Sequence, residues 1–201
     1  ELLTASRDKT VKRWSLSSGT CLGTYKGHKR YPKGVSCLAD GRLLTLDRTI
    51  RVWSPDQDKP LHVLTGHTSD VLGTINLDDG RLVSFSKDGT LRLWNPDSGE
   101  CLATMAHDGD VLGALLLSGE RLLSFSKDGT LRLWSLADGS ALGVLSGHDG
   151  AVSGAILLPG ERALSWGADR ELRTWDLAAA APLARFVGHQ GSIKVALDLG
   201  D

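Results

Sequence analysis

The eleven residues SFSKDGTLRLW stand at 84–94 and again, unchanged, at 124–134. Identity of that length within one chain means a duplicated structural unit, and a chain made of such units folds as an array of them. The marks of the unit run from one end to the other. A Trp recurs at Trp14, Trp53, Trp94, Trp134 and Trp175, in steps of 39, 41, 40 and 41 residues. A Gly-His pair, once Ala-His, recurs at His28, His67, His107, His148 and His189, in steps of 39, 40, 41 and 41. An Asp stands six residues before each Trp, at Asp8, Asp47, Asp88, Asp128 and Asp169.

Inside a unit the pattern is one of short strands. In the third, VLGTINL (71–77), RLVSFS (81–86), TLRLW (90–94) and CLATM (101–105) are rich in β-formers, and DDG, KDG and PDSG part them. Four strands divided by turn residues predict successive antiparallel hairpins. The glycines are read as turn residues, and they fit no phosphate-binding fingerprint. No segment sustains a 3.6-residue period, so no helix is predicted. DLAAAAPLARF (176–186) holds the slot of NPDSGECLATM and contains Pro182, so it is read as a turn and a strand.

A four-stranded sheet of about forty residues cannot bury both of its faces alone, and repeated sheets of this size stack radially as the blades of a propeller. The Gly-His opening and the Trp-Asp close (Trp175-Asp176 in the last unit, Trp-Ser or Trp-Asn elsewhere) resemble the tryptophan–aspartate (WD) repeat β-propeller family over essentially the whole chain. The resemblance implies an all-β propeller of about five four-stranded antiparallel blades, one domain over 1–201, with units ending near Trp14, Trp53, Trp94, Trp134 and Trp175. The chain opens at the second strand of a unit, ELLTAS, and closes after the first strand of another, SIKVALDLG (192–200). Residues 193–199 are therefore expected to complete the blade begun by 1–25. That closing blade is mixed from both termini or shared between chains; a piece of a longer propeller is the third option.

In this family the His, a Ser or Thr, the turn Asp and the Trp of each unit form a hydrogen-bonded row. A buried imidazole and a buried indole N–H both need partners. The resemblance carries the row onto His67, Ser84, Asp88 and Trp94, onto His107, Ser124, Asp128 and Trp134, and onto His148, Ser165, Asp169 and Trp175. In the second unit it falls on His28, Asp47 and Trp53, with Thr45 as the third member and a tighter turn, because two residues are missing before Asp47. His189 has no Asp or Trp after it, so its expected partners are Thr4, Asp8 and Trp14. A catalytic Ser-His-Asp reading is set aside, because an active site is built once and this set recurs in every unit. No cofactor or metal is expected: the row His are about forty residues apart, and Cys21, Cys37 and Cys101 form no C-x-x-C. Those cysteines are read as buried free thiols of a reducing compartment, hence a cytoplasmic protein. Trp166 takes the place of Phe85 and Phe125 and is read as core between blades.

A net charge of −1 gives no whole-chain footprint for nucleic acid or an anionic membrane. No apolar run is long enough to span a bilayer, and ELLTASRDKT is no signal peptide. The expected function is a non-catalytic scaffold that binds a protein or peptide. Basic residues flank the turn Asp: Arg7, Lys87 and Lys127 before it, Lys9, Arg48 and Arg170 after it. The loop KGHKRYPKG adds Lys26, Lys29, Arg30, Tyr31 and Lys33. The candidates for partner contact are Arg7, Lys29, Arg30, Tyr31, Arg48, Lys87, Lys127 and Arg170, a rim suited to an acidic segment with Tyr31 as its anchor. Against this, Lys87 and Lys127 could pair with Asp70 and Asp110 and merely solvate the rim. Two other functions compete. One is a self-assembling module that forms a larger oligomeric ring. The other is an enzyme with a channel active site, which would need an unpaired carboxylate, His or Cys in one unit. The Ala-, Leu- and Arg-rich style of LAAAAPLARF points to a bacterial source, and bacterial proteins of this type resemble multidomain signalling or sensor proteins.

Overall fold

The computed structural model describes residues 1–198; Leu199, the last residue of the expected closing strand, lies outside the described residues with Gly200 and Asp201. Two compact units result, Glu1–Ser86 with Arg92–Leu102, and Lys87–Leu91 with Ala103–Asp201. All regular structure among the described residues is β-strand.

The first unit opens with β1 (Leu2–Ala5), β2 (Val11–Trp14) and β3 (Cys21–Tyr25), a three-stranded antiparallel sheet. The second sheet runs β4 (Gly34–Cys37), β5 (Leu43–Leu46), β6 (Ile50–Trp53) and β7 (Pro60–Leu64) in chain order. The third is β8 (Val71–Asn76), β9 (Leu82–Ser86), β10 (Thr90–Asn95) and β11 (Glu100–Ala106); Thr90, Leu91 and the end of β11 count with the other unit. The second unit holds β12 (Val111–Leu117), β13 (Arg121–Ser126), β14 (Thr130–Ser135) and β15 (Ala141–Ser146), then β16 (Val152–Leu158), β17 (Arg162–Gly167), β18 (Leu172–Asp176) and β19 (Ala181–Phe186), two further four-stranded meanders. DLAAAAPLARF is a turn followed by β19, as its slot predicts.

Within each unit consecutive sheets stack face to face. Leu44, Leu46, Ile50, Val52 and Leu64 of the second sheet form one cluster with Val71, Leu82 and Trp94 of the third. Leu123, Leu131, Leu133 and Leu145 of the fourth meet Val152, Ala163 and Trp175 of the fifth. The inner strands β5 and β6 are buried throughout, whereas outer strands such as β11 alternate between exposed and covered positions. The Asp of each hairpin sets its turn: Thr49, Thr90 and Thr130 donate their N–H to the Asp two residues earlier at 2.7, 2.9 and 2.8 Å. The residue between them is left-handed in the long turns, at Gly89 (φ 82°) and Gly129 (φ 84°). Lys9 (φ 68°) and Arg170 (φ 67°) hold the same slot without glycine's freedom, a local strain.

Four glycines correct the turn reading. Gly34, Gly73, Gly113 and Gly154, each six residues after its His, lie inside the first strands of their sheets and pair with Leu46, Phe85, Phe125 and Trp166. The bulky side chain lies flat on the glycine backbone: a Cβ added to Gly113 would come within 2.9 Å of Phe125 Cε1, and one on Gly154 within 2.6 Å of Trp166 Cε2. Trp166 is buried in this contact, and its indole N–H has no partner among the described residues.

The first sheet differs from the expected blade. It has three strands, and residues 187–198 form none. Trp14 is only half-buried, while Trp53, Trp94 and Trp175 are at most 1% exposed. His189, Val195 and Leu197 are exposed. The mixed closing blade is thus not formed among the described residues. Ile193, Val195 and Leu197 alternate as a strand requires, but a lone segment gains strand structure only when its N–H and C=O groups find a ladder to join. The cysteines are a further correction. Cys21 and Cys37 are exposed and Cys101 is half-buried, because they sit on sheet ends and outer strands rather than in the core.

Candidate functional site

In the second, fourth and fifth sheets the rows are continuous polar chains. In the fourth sheet Trp134 Nε1 donates to Ser124 Oγ at 2.8 Å, Ser124 Oγ lies 2.7 Å from His107 Nε2, and His107 Nδ1 lies 3.0 Å from Asp128 Oδ2. In the fifth, Trp175, Ser165, His148 and Asp169 are joined by three contacts of 2.8 Å. In the second, Trp53 donates to Thr45 at 2.8 Å, His28 Nε2 is 2.8 Å from Thr45, and His28 Nδ1 is 3.1 Å from Asp47. In the third, Trp94 and His67 meet Ser84 at 2.8 and 2.7 Å, and Asp88 accepts from Thr90. In the first, Trp14 donates to Thr4 at 2.8 Å and Asp8 caps its turn through Thr10. Exposed His189 stands apart from the buried row His.

Burial pushes the imidazoles of His107 and His148 below their ordinary pKa, against the pull of Asp128 and Asp169. In its neutral form each imidazole can donate Nδ1–H to the row Asp and accept the Ser hydroxyl at Nε2. Burial would raise the Asp128 carboxyl, but hydrogen bonds from Thr130, from the Asp108 N–H and from His107 outweigh it and hold the group at about 2. Asp47 is lowered in the same way, by His28, Thr49 and Arg51 against its burial. Ser84, Ser124 and Ser165 are wholly buried. A hydroxyl that no substrate can reach, bonded on both sides, stabilises a sheet and performs no acyl transfer.

A basic residue two places before every Trp was not singled out from the sequence, although TIRVW, TLRLW and ELRTW display it. Arg132 Nη2 donates to Asp108 at 2.7 Å and lies 3.5 Å from Asp128. Arg173 Nη2 donates to Glu171 at 2.9 Å; Arg185 donates twice to the same carboxylate and, with Arg173, holds it at about 2. Arg92 lies over the Trp94 ring, 6.0 Å from its centroid, and reaches Cys101 Sγ at 3.6 Å. Arg51 is nearly buried; its Nη1 lies 2.8 Å from His28 Nδ1 and donates to Thr49 at 2.9 Å, and its Nη2 donates to the Gly27 carbonyl at 3.1 Å.

The rim candidates separate. Lys127 pairs with Asp110 at 2.7 Å. Asp70 is met by Lys33, with Arg30 at 3.9 Å. Lys33 also lies 5.8 Å from the centroid of the exposed Tyr31 ring. Arg170 donates to the Gln190 carbonyl at 3.3 Å. Arg7, Lys29, Arg48 and Lys87 are exposed, and no ion pair falls on them among the described residues. Three candidates come together: Lys29, Arg30 and Arg48 line a 390 Å³ cleft with Asp47, Thr49, Arg51, Val63 and Thr65. Arg7, Lys87, Lys127 and Arg170 do not line it.

The profile described as "WD domain, G-beta repeat" matches residues 19–54, 58–95 and 99–135, more than half of the chain. The Lissencephaly-1 homolog of Dictyostelium discoideum is 46% identical over 43 residues, 21% of this chain and 10% of that protein. That of Branchiostoma floridae is 50% identical over 34 residues, 17% and 8% of the two. The matched segments thus span a tenth or less of these relatives. Among solved structures, the computationally designed Ika8 protein superposes with a TM-score of 0.82 at 26% identity, over 99% of this chain and 62% of that one. Matched repeats over more than half of its length, on sheets that carry the Trp–Ser/Thr–His contacts, show that the chain belongs to the WD-repeat family.

Proposed function

We propose that this chain is a non-catalytic scaffold whose rim, at the loop after His28, holds an acidic segment of a partner protein. Membership of a family of interaction scaffolds supports the first part. The cleft carries the second: Lys29, Arg30, Arg48 and Arg51 line it against one carboxylate, Asp47. On a chain of net charge −1 these cations are a local feature and not a general field. Tyr31, 47% exposed on the same loop, is the residue type that anchors an interface. The wider setting belongs to the same proposal: one propeller domain of a larger cytoplasmic signalling protein, of bacterial origin on the style of LAAAAPLARF. On an array of acidic, neutral and basic peptides, acidic ones are expected to bind best. Tyr31→Ala with Arg30→Ala should weaken them by about tenfold or more. Equal binding of basic peptides, or no loss in the variant, overturns the reading.

A second reading, strand exchange, rests on the three-stranded first sheet and on one size match. The complete sheets pair a glycine with a bulky residue, as at Gly113 and Phe125. The remaining pair in that register is Val195, six after His189, with Ala5, next after Thr4, so the bulk sits on the other strand. This supports residues 193–199 as the fourth strand beside β1, drawn from a second copy or from the same chain. Exchange between copies predicts a discrete multiple of 21.5 kDa by light scattering. A lone species of that mass rules it out.

A further inference from the structure

We infer that the cleft beside Arg51 is a subsite for one carboxylate side chain, Asp or Glu, of the acidic partner, seated on the Arg51 guanidinium between Lys29 and Arg48. This rests on the rim reading above and names its chemistry. The repeat itself supplies the template. In the fourth sheet the residue after the row His is Asp108, and its carboxylate takes a 2.7 Å bond from Arg132. In the fifth, Arg173 meets Glu171 at 2.9 Å. Arg132 thus serves a second carboxylate besides its row Asp128, and Arg173 serves a carboxylate that is not its row Asp. In the second sheet both places differ: Lys29 stands where Asp108 does, reversing the charge, and Thr49 stands where Glu171 does.

Arg51 therefore has Asp47 at 3.2 Å and no second carboxylate among the described residues. Where Asp108 would lie there is open cleft, walled by Val63 and Thr65, with room for the methylenes of a Glu. The shortened hairpin sets this corner apart. Thr45 faces Arg51 and Leu46 faces Ile50, so residues 47–49 make the turn, whereas 126–130 join the matching pairs Ser124–Arg132 and Phe125–Leu131. The basic residues of the other sheets offer no such seat. Arg92 is laid over Trp94, and Lys12 lies 5.6 Å from the Trp14 ring centroid. A charged hydrogen bond from a nearly buried guanidinium is the strong kind, and the flanking cations favour an anion at that place over a neutral amide.

The test uses fluorescein-labelled hexaglutamate, hexaglutamine and a phosphoserine hexamer, with binding read by anisotropy. The decisive variant is Lys29→Asp, which restores the carboxylate of the fourth sheet and so fills the seat from within. Hexaglutamate is expected to bind about tenfold more weakly to it, while its melting temperature holds or rises. Lys59→Asp, an equal charge change away from the cleft, should stay within about twofold of the parent chain. Unchanged binding by Lys29→Asp, or an equal loss in Lys59→Asp, overturns the subsite and leaves the rim reading standing. Tighter binding of the phosphoserine peptide than of hexaglutamate overturns the carboxylate assignment. A parent chain that does not prefer hexaglutamate to hexaglutamine overturns both readings.

Discussion

Gly113→Ala is expected to destabilise the second unit by roughly 1–3 kcal/mol, a large loss for the gain of one methyl group. The cause is not a special backbone angle. Gly113 sits in β12 directly across from Phe125, and the ring occupies the space that a Cβ would need, with Cε1 at 2.9 Å and Cε2 at 3.0 Å from it. The ring has little room to retreat, because Phe125 is 9% exposed and packed among Leu131, Leu145 and Val152. The second sheet provides a graded comparison. There Gly34 faces Leu46, whose flexible end meets the added carbon at 3.0 Å, so Gly34→Ala should cost less than Gly113→Ala. A double-mutant cycle in urea isolates the contact. Phe125→Ala alone should cost roughly 3–5 kcal/mol as a cavity, and Gly113→Ala on top of it should add almost nothing. Additive losses would show that the glycine serves some purpose other than seating the ring.

That glycine illustrates where reading the chain by its period succeeds and where it stops. The Trp, Asp and His marks lie about forty residues apart, and the four-stranded meanders with their Asx turns follow from them directly. The strand glycines share the same period, yet glycine ordinarily signals a turn, and only the cross-strand register shows that Phe85, Phe125, Trp166 and Leu46 lie upon them. Arg51, Arg92, Arg132 and Arg173 are equally periodic. They read as the polar half of an alternating strand, and their differing partners depend on neighbours at other positions: Asp108 for Arg132, Glu171 for Arg173, Cys101 for Arg92. The KRYPK loop was legible as a basic cluster. That it shares a cleft with Arg48 and Arg51 was not, because the missing two residues before Asp47 act through the fold of the hairpin. Residues 193–198 show the strongest limit: an alternating pattern states what a segment can pair as, but a strand exists only with its neighbour.

Ser124→Ala should be costlier than its single lost oxygen suggests, at roughly 2–5 kcal/mol, because two buried groups lose their partner at once. Ser124 Oγ accepts the Trp134 indole N–H at 2.8 Å and meets His107 Nε2 at 2.7 Å, and the residue is wholly buried. The gap left by one oxygen is smaller than a water molecule, so indole and imidazole each carry their desolvation uncompensated. Ser124→Thr is the informative contrast. Thr45 fills the equivalent place in the second sheet, between Trp53 and His28 with both contacts at 2.8 Å, so a threonine hydroxyl suits a row of this kind. Equilibrium unfolding in urea should therefore show a large loss for the alanine variant and under about 1 kcal/mol for the threonine variant, the added methyl group being the remaining cost. Equal losses in the two variants would mean that packing volume, and not the hydrogen-bonded row, is what the position supplies. The difference bears on function as well as stability. In the second sheet the same row fixes His28, and His28 with Asp47 and Thr49 fixes the inner edge of Arg51. The carboxylate seat proposed for Arg51 needs its guanidinium held in place before the partner arrives, and His28, Asp47 and Thr49 hold it.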